Sequence, residues 1–260
     1  KRRYIAITAE YTKPFKMKER TVHSPAASSK LSTEEEARLH EKLRKVKIGI
    51  LPGADSMGFW WLLDLGVDME LLTWEDIVGH DLTPQKYPVL LYCAGEHYRR
   101  TIRRDGDVDD ALAAYLKAGG FLVALPAMPW PFYYDNTGQA VNHSGRFGLT
   151  LRMGWEQPPA DAGLRFVQPE YRLPHVPEQF PFPTAGDLRW RPFFAGDQTE
   201  HTSLLQLCDN DEKYLGDAVA YAQSDGGGKI LYVCFNLLEG PHSELLLYDI
   251  FDFMAERIGY

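Results

Sequence analysis

Cysteine is scarce in this sequence. Cys93, Cys208 and Cys234 are the only three among 260 residues, and they form neither a CxxC pair nor a disulfide framework. A reduced, cytoplasmic setting is the expectation that follows. Secretion stays open, because no signal peptide is visible and the chain starts at Lys1, which leaves room for an upstream segment removed earlier. Long apolar runs are missing as well: stretches such as 121–127 and 230–235 fall far short of the roughly 20 residues that cross a bilayer, which argues against a membrane span. Positive charge is in deficit, with 28 Lys and Arg against 36 Asp and Glu and a net charge of −8. Such a chain repels phosphate backbones and anionic lipid surfaces, so nucleic acid is excluded as an expected partner.

Metal and nucleotide signatures are absent too. The eight histidines are scattered, and no two stand at His-x-His or His-x3-His spacing, so no metal site is expected. The glycines after the first strand lack GxGxxG spacing, and Gly226-Gly227-Gly228 sits in a hairpin rather than before a helix. No cofactor is expected.

What remains is a chain of ordinary globular composition, 45% apolar and 25% charged. Residues 1–45 read as an N-terminal extension or linker. Arg3–Tyr11 alternates like a short strand, a basic stretch and a Ser-rich stretch follow, and Ser32 with Glu34, Glu35 and Glu36 starts a short polar helix. Residues 46–260 read as one α/β domain. Lys47–Leu51, Met69–Trp74, Pro88–Cys93 and Phe121–Leu125 are strands. Between them lie a helix from Asp55 or Ser56 to Leu65 and another over Asp107–Ala118. Residues 126–201, crowded with prolines and aromatics, read as an elaborated insertion with short antiparallel strands near Phe147–Met153 and Leu164–Gln168. Order returns with Ser203–Cys208, a hairpin of Ala218–Gln223 and Lys229–Phe235, and a closing helix over Ser243–Ile258 capped by Ser243.

The phrases KIGILPG (47–53), YPVLLYCAGE (87–96), ALAAYLKAGGFLVALP (111–126) and GGGKILYVCFNL (226–237), in this order, resemble the class I glutamine amidotransferase-like superfamily. That superfamily includes amidotransferase domains, trehalose-utilisation-protein-like domains and the trimerisation domain of some β-galactosidases. The resemblance implies a flavodoxin-like, mostly parallel sheet with helices on both faces. Catalytic members carry a Cys on a sharp turn after the strand that follows the Gly-Gly helix, and a His-x-Glu late in the chain. Here that turn reads Leu125-Pro126-Ala127-Met128-Pro129-Trp130-Pro131, without Cys, Ser or Thr, and its prolines remove N–H groups that an oxyanion hole would use. The implied protein is a non-catalytic amidotransferase-like domain with a binding or assembly role, connected with carbohydrate.

Two alternatives stand beside it. Cys93-Ala94-Gly95 resembles an amidotransferase Cys-x-Gly core, and His242-Ser243-Glu244 supplies a His-x-Glu. Cys93, His242 and Glu244 are therefore candidate catalytic residues, in a hydrolase that uses Cys93 or Glu96 with His97 or His242. Against this, Cys93 also reads as a small buried side chain closing a strand. The β-galactosidase resemblance implies the other alternative, an oligomerisation module. Ligands of open α/β sheets bind at the C-terminal ends of the strands. Glu96, His97, Met128, Trp130, Tyr133 and His143 are the candidate ligand-binding residues there, with aromatic rings suited either to sugar faces or to pinning the insertion. The expected partners are a carbohydrate or other small-molecule ligand and, for assembly, a second copy of the chain or an upstream domain.

Overall fold

The structure, a computed structural model, describes residues 31–79, 81–94, 101–127, 130–135, 137–151, 163–184, 188–196, 198–234, 237–238 and 240–260. The strand expected over Arg3–Tyr11 lies outside these residues.

Four strands with almost unbroken apolar sequence make the middle of the molecule: β1 (Ile48–Ile50), β3 (Val89–Tyr92), β6 (Phe121–Ala124) and β13 (Lys229–Val233). Apart from Lys229 at one end, every residue in them is buried, as expected where both faces of a parallel sheet are covered. With the half-exposed edge strand β2 (Met69–Leu71) they pair in parallel in the order β13-β6-β3-β1-β2. Four antiparallel strands extend the β13 side: β12 (Tyr214–Gln223), β11 (Glu200–Cys208), β9 (Arg165–Val167) and β10 (Gln179–Pro181). The result is a nine-stranded mixed sheet with a parallel core. Two small antiparallel pairs stand apart from it, β4 (Ile102–Arg103) with β5 (Gly106–Asp107) and β7 (Phe132–Tyr134) with β8 (Ala140–Asn142).

Five α-helices accompany the sheet among the described residues: α1 (Thr33–Leu43), α2 (Met57–Leu65), α3 (Trp74–Val78), α4 (Val108–Lys117) and α5 (Ser243–Arg257). Their ends follow from the sequence. Ser32 and Glu35 form a capping box on α1, Thr73 and Asp76 form one on α3, and Gly66 ends α2 in the left-handed conformation. Helix α1 packs along α5, with Leu39 and Leu43 fully buried and Arg38 donating to the Tyr248 hydroxyl at 2.7 Å. The helix that sequence placed in an extension thus shares the core of the domain. Trp61 of α2 stacks on Phe251 of α5 with ring centroids 5.9 Å apart, while α3 and α4 contact each other.

The Gly119-Gly120 turn shows how tightly this core is fitted. Gly119 ends α4 with φ +92°, and a Cβ on Gly120 would lie 2.2 Å from the Tyr115 ring. That space lets the Tyr115 hydroxyl accept from Phe121 N at 3.0 Å and donate to Tyr87 O at 2.9 Å, fastening α4 to the starts of β3 and β6.

Some expected elements are displaced. Ser144–Phe147 is a 3-10 turn closed by Gly148 at φ +68°, not the start of a strand, and residues 152–153 lie outside the described set. The last parallel strand ends at Val233, and Phe235 is outside the described residues. His242 rather than Ser243 occupies the N-cap of α5, and Ser243 is the helix's first, buried residue.

Candidate functional site

The parallel strands share one C-terminal rim, and most of the residues singled out by sequence belong to the segments that leave it. After β1 and β3 the chain is drawn together: Asp55 N donates to Cys93 O at 3.0 Å, and Ala54 forms an isolated bridge with Ala94. Cys93 is 0% exposed. Its thiol lies against the hydroxyl of Ser56, which donates to Leu125 O at 2.9 Å, and burial drives the thiol pKa far up despite that contact. A thiol in this state is inert, because the nucleophile is the thiolate. Strand β6 runs into Leu125 and Ala127, both buried, and Ala127 N donates to Val233 O at 2.9 Å.

His242 and Glu244 do not complete a triad with Cys93. The His242 ring packs edge-on against Phe180, with centroids 5.0 Å apart, and burial lowers its pKa. Among the described residues no hydrogen bond joins any two of Cys93, His242 and Glu244, and none joins Cys93 to an imidazole. Glu96, His97 and Met128 lie outside the described residues.

Of the two roles open to the aromatic rings, the structure favours pinning the insertion. Trp130 is 0% and Tyr133 4% exposed, and Phe132, Trp190 and Phe193 are buried as well. Trp130 packs between Phe147 at 5.1 Å and Tyr92 at 6.2 Å between ring centroids. These rings form the interior of the insertion, where long Pro-rich loops need large side chains to hold them, and so they present no open face to a sugar.

His143, by contrast, belongs to a pair that sequence did not suggest. Its Nδ1 is hydrogen-bonded to Oδ2 of Asp109 in the first turn of α4. Asp109 is fully buried and His143 keeps 11% of its side chain exposed. Burial raises the Asp109 pKa to about 6, against the lowering pull of His143. Asp107 caps α4 by accepting from Asp109 N at 2.9 Å, and Arg146 bridges Asp107 and Asp110 at 3.2 Å each, so Asp109 serves neither task. One signal in the sequence marks it. Asp109 falls on the buried face of α4 with Leu112 and Leu116, where the helical period calls for an apolar side chain.

Buried polar atoms that lack a hydrogen-bond partner among the described residues include Oδ1 of Asp109, Nε1 of Trp130 and Nδ1 of His242. They belong to the segments following β3, β6 and β13 respectively, all of which leave the same rim. Unpaired buried polar groups are rare in folded proteins, and those of Asp109 and Trp130 lie on the segments that follow the neighbouring strands β3 and β6, whereas the His242 ring packs on Phe180 at the β9–β10 edge.

In two further histidine–carboxylate clusters both carboxylate oxygens are bonded. His175 lies between Asp249 of α5, 2.6 Å from Nδ1, and Glu35 of α1, 3.0 Å from Nε2, while Asp249 also accepts from the backbone of His175 and Val176. Asp217 of β12, fully buried, is bonded by His201 Nε2 at 2.8 Å, Ser203 Oγ at 2.7 Å and the Tyr214 hydroxyl at 3.0 Å. Because Ser203 donates to the carboxylate and not to the imidazole, this Ser-His-Asp set is no relay for a nucleophile.

An open groove of about 800 Å³ lies elsewhere, at the β9–β10 edge, lined in part by Arg165, Gln179, Phe180, Asn210 and Glu212. Arg165, its cation, already donates to Asp209 O at 3.1 Å and faces Glu212. Among the described residues no group of three or more His, Cys, Asp or Glu is placed to hold a metal ion, and no helix is long and apolar enough to cross a membrane. No protein-family model matches the chain, and no curated protein matches it either.

Proposed function

We propose that the chain is a flavodoxin-like domain of the class I glutamine amidotransferase-like type that has no thiol chemistry and binds a small polar ligand, of carbohydrate character, at the C-terminal rim of its parallel strands. The observation that carries this reading is the placement of Asp109 and Trp130, each with an unpaired buried polar atom, in the segments that leave that rim after the neighbouring strands β3 and β6. In open α/β sheets ligands lie outside the carboxyl ends of the strands, next to the point where the strand order reverses. Here the order in the parallel core is β2-β1-β3-β6-β13, reversing between β1 and β3. A ligand rich in hydroxyl groups matches unpaired donors and acceptors better than an apolar or strongly charged one.

The absence of thiol chemistry is supported from two sides. Burial holds Cys93 in its protonated, unreactive form. The turn after β6 reads Leu125-Pro126-Ala127, without a nucleophile. The expected outcomes are no glutaminase activity, no modification of Cys93 by iodoacetamide in the native protein, and a rise in melting temperature with one or more simple sugars. Selective alkylation of native Cys93, read by peptide mass spectrometry, would falsify the first half of the proposal. A sugar panel that leaves the melting temperature unchanged would remove the second.

A further inference from the structure

We propose that Asp109 and His143 are the hydroxyl-recognising pair of this rim, with Nε2 of His143 accepting a hydrogen bond from a hydroxyl of a sugar or other polyol. This rests on the rim-binding reading and adds the group that would make the contact. The geometry supplies the reason. An ionised carboxylate only accepts, so Nδ1 of His143, bonded to Asp109 Oδ2, carries the proton, and in the uncharged form of the ring the lone pair is on Nε2. Among the described residues Nε2 has no partner, and the ring keeps some exposure to solvent.

The ring is also held still. His143 N donates to Pro131 O at 2.9 Å, and the Asn142 side chain accepts from Ser144 N and donates to Leu151 O, each at 2.9 Å. Arg146 ties the same turn to Asp107 and Asp110, on either side of Asp109. Tyr133 packs beside the imidazole, with ring centroids 6.0 Å apart. A fixed acceptor backed by a buried carboxylate is how a site holds one tautomer ready for a ligand.

A second observation points to the same place. Oδ1 of Asp109, in a side chain wholly removed from solvent, has no partner among the described residues. Were the pair there for stability, both carboxylate oxygens would be bonded, as they are in Asp249 and Asp217. The charge around the pair selects the ligand class. Asp107, Asp109 and Asp110 at the start of α4 outnumber Arg146, which bridges the outer two, and this excess of negative charge disfavours anions. A neutral hydroxyl donor suits an imidazole acceptor.

The test begins without any substitution. Long-range proton–nitrogen spectra of the full chain, labelled at histidine nitrogen and recorded near pH 8, report the tautomer of each ring, with the His143 signals assigned by their loss in His143→Gln. Nδ1–H with a bare Nε2 is expected for His143, and the opposite tautomer overturns the inference. D-glucose, D-galactose and N-acetylglucosamine are then titrated in. At least one is expected to move the Nε2 resonance, and His143→Gln is expected to weaken that sugar about five- to tenfold, the worth of one neutral hydrogen bond. Asp109→Leu removes the acceptor of Nδ1–H, and it is expected to release the tautomer preference and weaken the same sugar. Sugar binding that leaves Nε2 unmoved and His143→Gln unimpaired overturns this inference while the rim reading stands. No response to any sugar overturns both.

Discussion

His143 and His175 are both paired with a buried aspartate, yet the two regions around them are built on opposite rules. At the seam between α1 and α5, both ring nitrogens of His175 and all four carboxylate oxygens of Asp249 and Glu35 are bonded. His175 gives one ring nitrogen to Asp249 and the other to Glu35, Asp249 accepts two backbone N–H groups as well, and Glu35 closes the capping box with Ser32. At the rim, Asp109 leaves one oxygen unpaired and His143 leaves Nε2 open among the described residues. A saturated network holds parts of a protein together. An unsaturated one of the same chemistry costs stability and is retained where something else uses it.

The sharpest way to break this comparison is at the seam. Asp249→Ala removes the acceptor of three hydrogen bonds and leaves two backbone N–H groups and an imidazole without it. Breaking a buried pair from one side costs about 3–5 kcal/mol. The expected result is a large drop in the urea midpoint, with α1 released first, visible as early hydrogen exchange over Thr33–Leu43. A variant as stable as the parent would show that the seam contributes nothing.

The next effect is one of pH. Burial draws the His175 pKa down, but its hydrogen bonds to Asp249 and Glu35 and their charges outweigh this and hold it above the ordinary value of 6.5. Both partners are acceptors when ionised, so the doubly bonded ring is an imidazolium. Glu35 is held at about 2 by the Ser32 backbone and hydroxyl and then by His175, so it stays ionised throughout the neutral range. With the folded pKa above the unfolded one, the stabilisation from His175 is complete below pH 6.5 and is lost as pH rises through the folded value. Unfolding free energy should therefore fall on going from pH 6 to pH 8.5. His175→Gln should flatten that slope, and a slope that survives the substitution would assign the effect to another group.

The sequence carried more of the frame than of the site. Continuous apolar runs in 48–50, 89–92 and 121–124 betray strands buried on both faces, and Gly66, Gly119 and the Ser32–Glu35 box mark helix ends by local chemistry. Such signals lie within a few residues of the element they specify. The side-chain clusters depend on contacts across long separations: Asp109 meets His143 across 34 positions at the rim, and His175 meets Asp249 across 74 at the seam. Read locally, Asp109 is one more carboxylate in a helix's first turn, and only its register with Leu112 and Leu116 betrays it. The aromatics left their role open for a related reason. Composition reports that rings are dense, but whether Trp130 faces solvent or the interior is decided by Tyr92 and Phe147, which come from other segments.

The smallest expected effect decides most. Asp109→Leu places an apolar side chain on the apolar face of α4, beside Leu112, and removes an oxygen that already lacked a partner. The desolvation of the buried carboxylate, whose second oxygen is already unpaired, is relieved as its hydrogen bond is lost. His143 gives up its Nδ1 acceptor, which costs about 1 kcal/mol. Removing a carboxyl whose pKa is raised also cancels a contribution that is complete below 3.8 and lost as pH rises through about 6, so near pH 7 little stability remains to be lost. The net change in unfolding free energy at pH 7 is therefore expected to stay within about 1 kcal/mol, well below that of Asp249→Ala. A loss from Asp109→Leu as large as that from Asp249→Ala would place both pairs in the same structural class, and the rim would lose its claim to be a binding site.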